Sequence, residues 1–276
     1  MNLRRRITDR LWIVLSIIAL AVAIIPLASI IYFVTANGIS VLSFSFLTRL
    51  PASPGQPGGI ANALQGTLIL IALASSIGLP VGMLSAVYIS EYGRNRYGST
   101  VRFLGDVLAG IPSIVTGILV YELVVIPLHH YSALAGGLAL GIMIIPIVSN
   151  TTTEALKLVP NSIREASMAL GIRRWRTSIL VMANAKSGIA TGGLLAIARI
   201  TGETAPLLLT ALGSTLPFAG FGQPIASLTV LIFDYATSPF KDWQAQAWGA
   251  SFVLMLTVLG INIFVRLATR GRSYAQ

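Results

Sequence analysis

Arg199 and Glu203 stand four residues apart in the apolar stretch ARITGETAPLLLTALG, residues 198–213. On a helix that spacing puts both on one face. Ionisable groups at membrane depth are costly and face protein or a water-filled cavity. An arginine there offers an anion several fixed donors and a charge that is never lost. Glu203 would hold Arg199 in place or keep an anion from binding too tightly to leave. The plainer reading is an ion pair that locks two helices. Glu122, in another apolar stretch, is a second buried carboxylate by this reading and an alternative partner for Arg199. Pro206 removes a backbone donor one turn after Glu203, so a kink or a free carbonyl is expected there.

Other chemistries lack their residues. His129 and His130 sit in a short loop without accompanying carboxylates, and the chain has no cysteine, so neither a metal centre nor a disulfide is expected. An intramembrane enzyme would need a nucleophile and base, or a ligand set, inside the spans. No span carries a histidine, and the few acids lie close to arginine. The Gly-Ile-Pro-Ser at 110–113 reads as a helix break; no G-x-x-x-x-G-K-[ST] phosphate loop occurs in the chain.

These residues are held by a chain that is 55% hydrophobic and 10% charged over 276 residues, against about 25% charged in a soluble domain. Apolar runs long enough to cross about 30 Å of hydrocarbon recur without period-two alternation, which excludes a β-barrel. We read an all-α polytopic membrane protein with six spans, about 11–35, 64–90, 101–127, 132–152, 188–212 and 244–267. The first exceeds a signal-peptide core and is read as an uncleaved anchor. Sixteen of the nineteen lysines and arginines fall on one side of this threading. The net charge of +10 is therefore topology rather than a nucleic-acid surface, and both termini are expected in the cytoplasm. The outer segments, 36–63 and 213–243, are rich in Pro, Gly, Ser and Phe and favour turns and ordered loops. They would cap a pathway, meet an external partner or simply connect. Arg102 and Asp106, four apart at a span's cytoplasmic end, read as an interfacial pair.

The longest cytoplasmic loop, about 153–187, contains SIREASMALGIRRWRTSILVMANAKSGI. Ser162 and Glu165 fit a capping box, Ile163, Met168 and Leu170 supply an apolar side, and Gly171 suits the left-handed end of a helix. A second helix is expected from near Arg173. The unit reads either as positive-inside anchorage through Arg173, Arg174 and Arg176 or as a rigid knob that fits a groove in a cytoplasmic partner.

The spacing of Glu165, Ala166 and Ser167, then Gly171, then Val181 resembles the EAA loop of bacterial ABC importer permeases, with Ala183 and Asn184 where the family usually has Leu-Pro. FLTRLPASPGQPGGIANALQGTLILIALASSIGLPVGMLSAVYISEYG (46–93), LAGIPSIVTGILVY (108–121), TTTEALKLVPNSIREASMALG (151–171) and GETAPL (202–207) resemble the phosphate permeases of the PstA type. The resemblance runs from about residue 11 to 268. It implies the type I importer permease fold, with residues 1–63 as an N-terminal tail, first span and outer loop, 64–268 as the permease domain, and 269–276 as a cytoplasmic tail. It implies a non-catalytic pore subunit in the cell membrane that passes inorganic phosphate by alternating access. Its partners would be a homologous C-type permease, two ATP-binding cassette subunits that hold the ATP and Mg, and an extracytoplasmic phosphate-binding protein. Glu165, Ala166, Gly171, Arg173 and Arg174 would then form the contact with the ATPase, and Arg199, Glu203 and Glu122 the pathway. Sulfate, molybdate or phosphonate would leave fold and mechanism unchanged; an ion channel would conduct without ATP.

Overall fold

The structure, a computed structural model, describes residues 3–93 and 95–270. Residues 1–2, Arg94 and the end of the C-terminal tail, 271–276, lie outside the described residues. Among the described residues four helices are long and apolar enough to cross a membrane, and two bent helix pairs raise the number to six if each counts as one span. The order is α1 (Leu3–Gly38), a short outer α2 (Phe44–Thr48), α3 (Ala61–Val87), α4 (Arg96–Gly110), α5 (Ser113–Val120), a one-turn α6 (Ile126–Leu128), α7 (Ala133–Lys157), α8 (Asn161–Ala169), α9 (Arg174–Asn184), α10 (Lys186–Thr201), α11 (Ala205–Thr210), α12 (Leu228–Ala236) and α13 (Lys241–Arg270). Among the described residues the one β-type contact is an isolated bridge between Leu212 and Ile225.

The centre of the bundle is α7, the most buried of the long helices. It packs along the length of α3 because glycine lets the backbones approach. A Cβ on Gly78 would stand 2.6 Å from the Gly141 carbonyl, and one on Gly82 would stand 2.8 Å from Val148 Cβ. In hydrocarbon such small-residue contacts replace the hydrophobic drive as the source of packing energy. Leu70, Ala74, Leu140, Ile144, Val148, Ala196, Ile200 and Leu207 close the core around them. By contrast α1 turns nearly all its apolar side chains outward, as a helix solvated by lipid can, and meets α13 through Gly38 beside Phe252.

At the outer end α2, α12 and the starts of α3 and α13 share a second core of Phe46, Ile60, Ala63, Leu228, Leu231 and Tyr235. The two Pro/Gly-rich segments are indeed ordered. Asn62 donates to the Ser214 carbonyl at 2.5 Å, the Gly55 amide to the Asp242 carboxylate at 2.7 Å, and the Leu228 amide to Thr67 Oγ1 at 2.9 Å.

Two expected spans are not straight. The stretch read as 101–127 breaks at Ile111–Pro112, and the helices on either side meet at 105°. Pro112 cannot continue the ladder, and the residue before it is driven to extended backbone; Ile111 has φ −73° and ψ 128°. The stretch read as 188–212 begins at a 71° bend from α9 and ends at Gly202, three residues short of α11. Pro206 sits in the first turn of α11, where its missing N–H costs nothing. The interruption therefore precedes the proline instead of following Glu203 as a kink.

Candidate functional site: a charged hairpin and an intramembrane arginine

The hairpin is α8 and α9. Its first helix starts at Asn161 behind Pro160, whose extended geometry serves as N-cap. Ser162 is already inside the helix, so the expected capping box with Glu165 does not form. The Glu165 side chain is exposed instead. The helix ends as expected, with Gly171 at φ +71°. The Gly171 amide bonds the Met168 carbonyl at 2.9 Å and the Ile172 amide bonds the Ser167 carbonyl at 3.1 Å. This pair of bonds is the Schellman closure, and it requires left-handed backbone at Gly171. Arg173 is the N-cap of α9. Ser167, Thr177, Ser178 and Val181 are buried.

The outward face is less polar than a solvated loop requires. Met168 and Trp175 are exposed, Leu170 is 79% exposed, and Glu165 and Ala166 lie exposed beside them. The apolar side expected from Ile163, Met168 and Leu170 is thus divided, since Ile163 alone packs inward against Leu156, Val159 and Val181. A groove of about 510 Å3 runs past Glu165, Arg164, Met168 and Arg174.

Two residues absent from the expected site fix the hairpin to the bundle. Beyond α3 the chain makes one π-turn, Tyr88–Tyr92, which contains Glu91. The Glu91 side chain is 8% exposed and its partner Arg164 18%. Arg164 Nε lies 3.2 Å from both carboxylate oxygens and Nη2 lies 2.8 Å from Oε1. Its other donors reach the carbonyls of Val159 at 2.8 Å and Leu156 at 3.0 Å. Arg174 donates to the Glu91 carbonyl and covers the Tyr92 ring at 4.9 Å. Charge counting reads both arginines as topology. Glu91 and Arg164 are 73 residues apart, so no local spacing announces them.

Arg199 contrasts with Arg164. It is 62% exposed, and Glu203 lies at Nε–Oε1 3.9 Å, beyond hydrogen-bond range. Among the described residues its guanidinium donates no hydrogen bond. Glu203 follows the end of α10 and is four positions away in the same segment, so this pair cannot lock two helices. Glu122, expected as buried and as an alternative partner, is neither. It sits exposed in a π-turn, Tyr121–Val125, and forms no ion pair among the described residues. The expected Arg102–Asp106 bridge is likewise absent among the described residues. Arg199 stands at a cleft of about 120 Å3 beside the broken third span, lined by Ile111, Thr116, Pro146 and Asn150. An anion held there would meet one guanidinium with its donors unspent, an amide and a hydroxyl. A charge of that kind cannot face acyl chains, so this surface belongs against water or another protein.

The outer end holds a cavity of about 340 Å3 lined by Pro51, Ser214, Ser227, Asp234 and Tyr235. Desolvation by the surrounding protein raises the Asp234 carboxyl above its ordinary 3.8. No group of three or more His, Asp or Glu that could hold a metal occurs among the described residues.

Known proteins of similar sequence and shape narrow what this arrangement is for. Residues 78–271 match the family described as binding-protein-dependent transport system inner membrane component. The phosphate transport system permease protein PstA of Haemophilus influenzae is 43% identical over 271 residues, covering 96% of each chain. PstA 1 of Mycobacterium tuberculosis strain H37Rv is 37% identical over 283 residues, covering 99% of this chain and 92% of that one. A crystal structure of a bacterial alginate ABC transporter, in complex with a periplasmic protein bound to alginate pentasaccharide, superposes with a TM-score of 0.70. It is 15% identical and covers 98% of both chains. An inward-facing MetNI methionine ABC transporter gives 0.62 at 18% identity, covering 77% of this chain and 94% of that one. At those identities the two structures speak to fold alone.

Proposed function

The chain belongs to the binding-protein-dependent transport system inner membrane components, and within them to the PstA-type phosphate permeases, and from this membership we infer how its two sites work together. It is the membrane-spanning permease subunit of an ATP-driven importer of inorganic phosphate, with the type I importer permease fold. Phosphate is delivered from outside, crosses beside Arg199, and is released on the side of the charged hairpin. That side is the cytoplasm, because the basic residues collect there and the positive-inside rule orients the chain by them.

The chain itself is non-catalytic. ATP and Mg2+ are held by two ATP-binding cassette subunits, and a homologous C-type permease completes the pathway opposite the exposed Arg199 face. The coupling surface is the outward face of the hairpin, namely Glu165, Ala166, Gly171 and Arg173 with Met168 and Leu170, whereas the guanidinium of Arg174, expected there, is turned to Glu91 and Tyr92 of the bundle. Its exposed apolar groups fit a protein groove better than water. Closing of the ATPase dimer moves the hairpin. α9 continues into α10 at the 71° bend, so the movement reorients the helix that carries Arg199.

The single observation that carries the pathway reading is the state of that arginine. It lies in a span and is exposed, and among the described residues it donates no hydrogen bond and has only the loose ion pair with Glu203. A tetrahedral oxyanion supplies what it lacks: paired acceptor oxygens at short range. Glu203, 3.9 Å away, offsets part of the charge and keeps the site from becoming a trap. The resident carboxylate also repels a dianion, so occupancy is brief, as a transit site requires. The test is complementation. A bacterial strain lacking its own A-type permease and starved of phosphate regains growth when this chain is expressed with its C-type partner and ATPase. Failure to restore growth despite normal membrane insertion of all subunits would refute the assignment.

A further inference from the structure

We propose that Glu91 and Arg164 are positioning residues for coupled transport: a joint, kept closed through the cycle, that carries the hairpin's movement into α3 and α7. The proposal rests on the reading of the hairpin as the contact with the ATPase.

The hairpin reaches the spans by three routes. Two are covalent, from α7 into α8 across residues 158–160 and from α9 into α10. The third is the cluster around Glu91. There Arg164, on α8, engages both carboxylate oxygens and also the Leu156 and Val159 carbonyls at the end of α7. Arg174, at the start of α9, grips the carbonyl of the same Glu91, and Ser90 Oγ donates to its carboxylate at 3.1 Å. Both helices of the hairpin thus hold one residue at the end of α3. Because α3 and α7 pack closely through glycines along their length, a push delivered at Glu91 is passed from α3 to α7. Without the joint, α7 and α10 would still be driven through the chain itself while α3 lagged.

A fold anchor alone does not call for this chemistry. The surrounding cluster of Leu156, Val159, Val181, Ala185 and Ile189 already seals the base of the hairpin. Ion pairs at such depth add little net stability over apolar packing but cost heavily when one partner is removed. What they add is a fixed direction and register, since the guanidinium fork meets a carboxylate in one plane. The π-turn that presents Glu91 has the wide helical geometry often found at functional positions. Opening the joint would leave a carboxylate at 8% exposure unpaired, so it stays made while the bundle moves.

The experiment uses the whole complex, with binding protein, in proteoliposomes. Glu91→Gln is expected to lower ATP-driven phosphate uptake by about tenfold or more. The ATPase subunits keep their unstimulated hydrolysis but no longer respond to phosphate-loaded binding protein. If Glu91→Gln fails to assemble, Arg164→Lys, which keeps the charge and loses the fork, takes its place with the same expectation. The natural chain has no cysteine, so Glu91→Cys with Arg164→Cys places two thiols of this subunit at the joint alone. Bridging them with a short bis-maleimide, which adds one thiol at each end with no change of oxidation state, restores the ATPase response that the unbridged pair lacks. Normal coupling in Glu91→Gln or Arg164→Lys, or a bridged pair that stays uncoupled, would overturn the joint. A wild-type complex whose ATPase responds to the binding protein but which moves no phosphate would overturn the phosphate reading instead, because the response is what reports on the joint.

Discussion

Replacing Gly171 with alanine isolates the backbone contribution to the coupling hairpin. A Cβ built on Gly171 meets nothing within 4 Å, so no neighbour has to move. What remains is φ +71°, a left-handed conformation that costs a residue with a Cβ about 1–2 kcal/mol. If the α8 end relaxes to avoid it, the bonds from the Gly171 and Ile172 amides are lost, at about 1 kcal/mol each. The cheaper response is to keep the turn and bear the strain. Asparagine tolerates the left-handed region better and is expected to cost a fraction of the alanine value. Proline is expected to be worst, because it fixes φ near −65° and removes the donor to the Met168 carbonyl. Because the turn is kept, the strain is present in the free and the assembled subunit alike and shows as a loss of about 1–2 kcal/mol of stability, read as a lower melting temperature of the alanine variant. The expected order of stability is glycine, asparagine, alanine, proline. An alanine variant equal to wild type, or an asparagine variant no better than alanine, would refute the argument from shape.

Further expectations concern single side chains. Glu165→Lys is expected to abolish stimulation of the ATPase while membrane insertion, read by protease protection of the loops, stays normal; Glu165 is exposed and makes no hydrogen bond or ion pair among the described residues. Arg199→Ala should remove phosphate uptake, whereas Arg199→Lys, with the charge but not the fork, retains a small fraction of it. Asp234→Asn tests the outer cavity by stability. Asp234 is exposed, and partial desolvation raises its carboxyl above the ordinary 3.8, so the natural chain loses a little stability as pH rises through that raised value. The variant is therefore expected to melt higher than wild type at pH 7, with the gain gone below about pH 3.8, where both folded and unfolded wild type are protonated.

Much of this architecture was readable because membrane physics leaves few options. Apolar length gives the spans, and the basic residues give a side. Gly171 was legible because a glycine after a helical stretch has one common use, and the Gly-Ile-Pro-Ser run was legible as a break. The size of that break was not, since 105° depends on where α7 lets the two halves rest. Hydropathy alone merged α10 with α11, because Gly202, Glu203 and Thr204 interrupt the backbone without interrupting the apolar run. The capping box failed for a local reason: Pro160 starts α8 ahead of Ser162. The Glu91–Arg164 pair failed for a global one. Each residue looks ordinary in its own segment, and only the packing of α3 against α7 brings them together. Sequence also cannot tell a spent arginine from a free one. Arg164 and Arg199 have the same chemistry, and only the structure shows that the first donates to a carboxylate and two carbonyls while the second lies 3.9 Å from Glu203.

The account stands or falls on vectorial phosphate movement by the assembled importer. The decisive measurement is uptake of labelled phosphate into proteoliposomes containing this chain, its C-type partner, the ATPase and the binding protein, with and without ATP and with sulfate in competition. The account predicts accumulation above the external concentration that requires ATP and is unaffected by excess sulfate. Equal accumulation of sulfate, or phosphate that merely equilibrates without ATP, would contradict it.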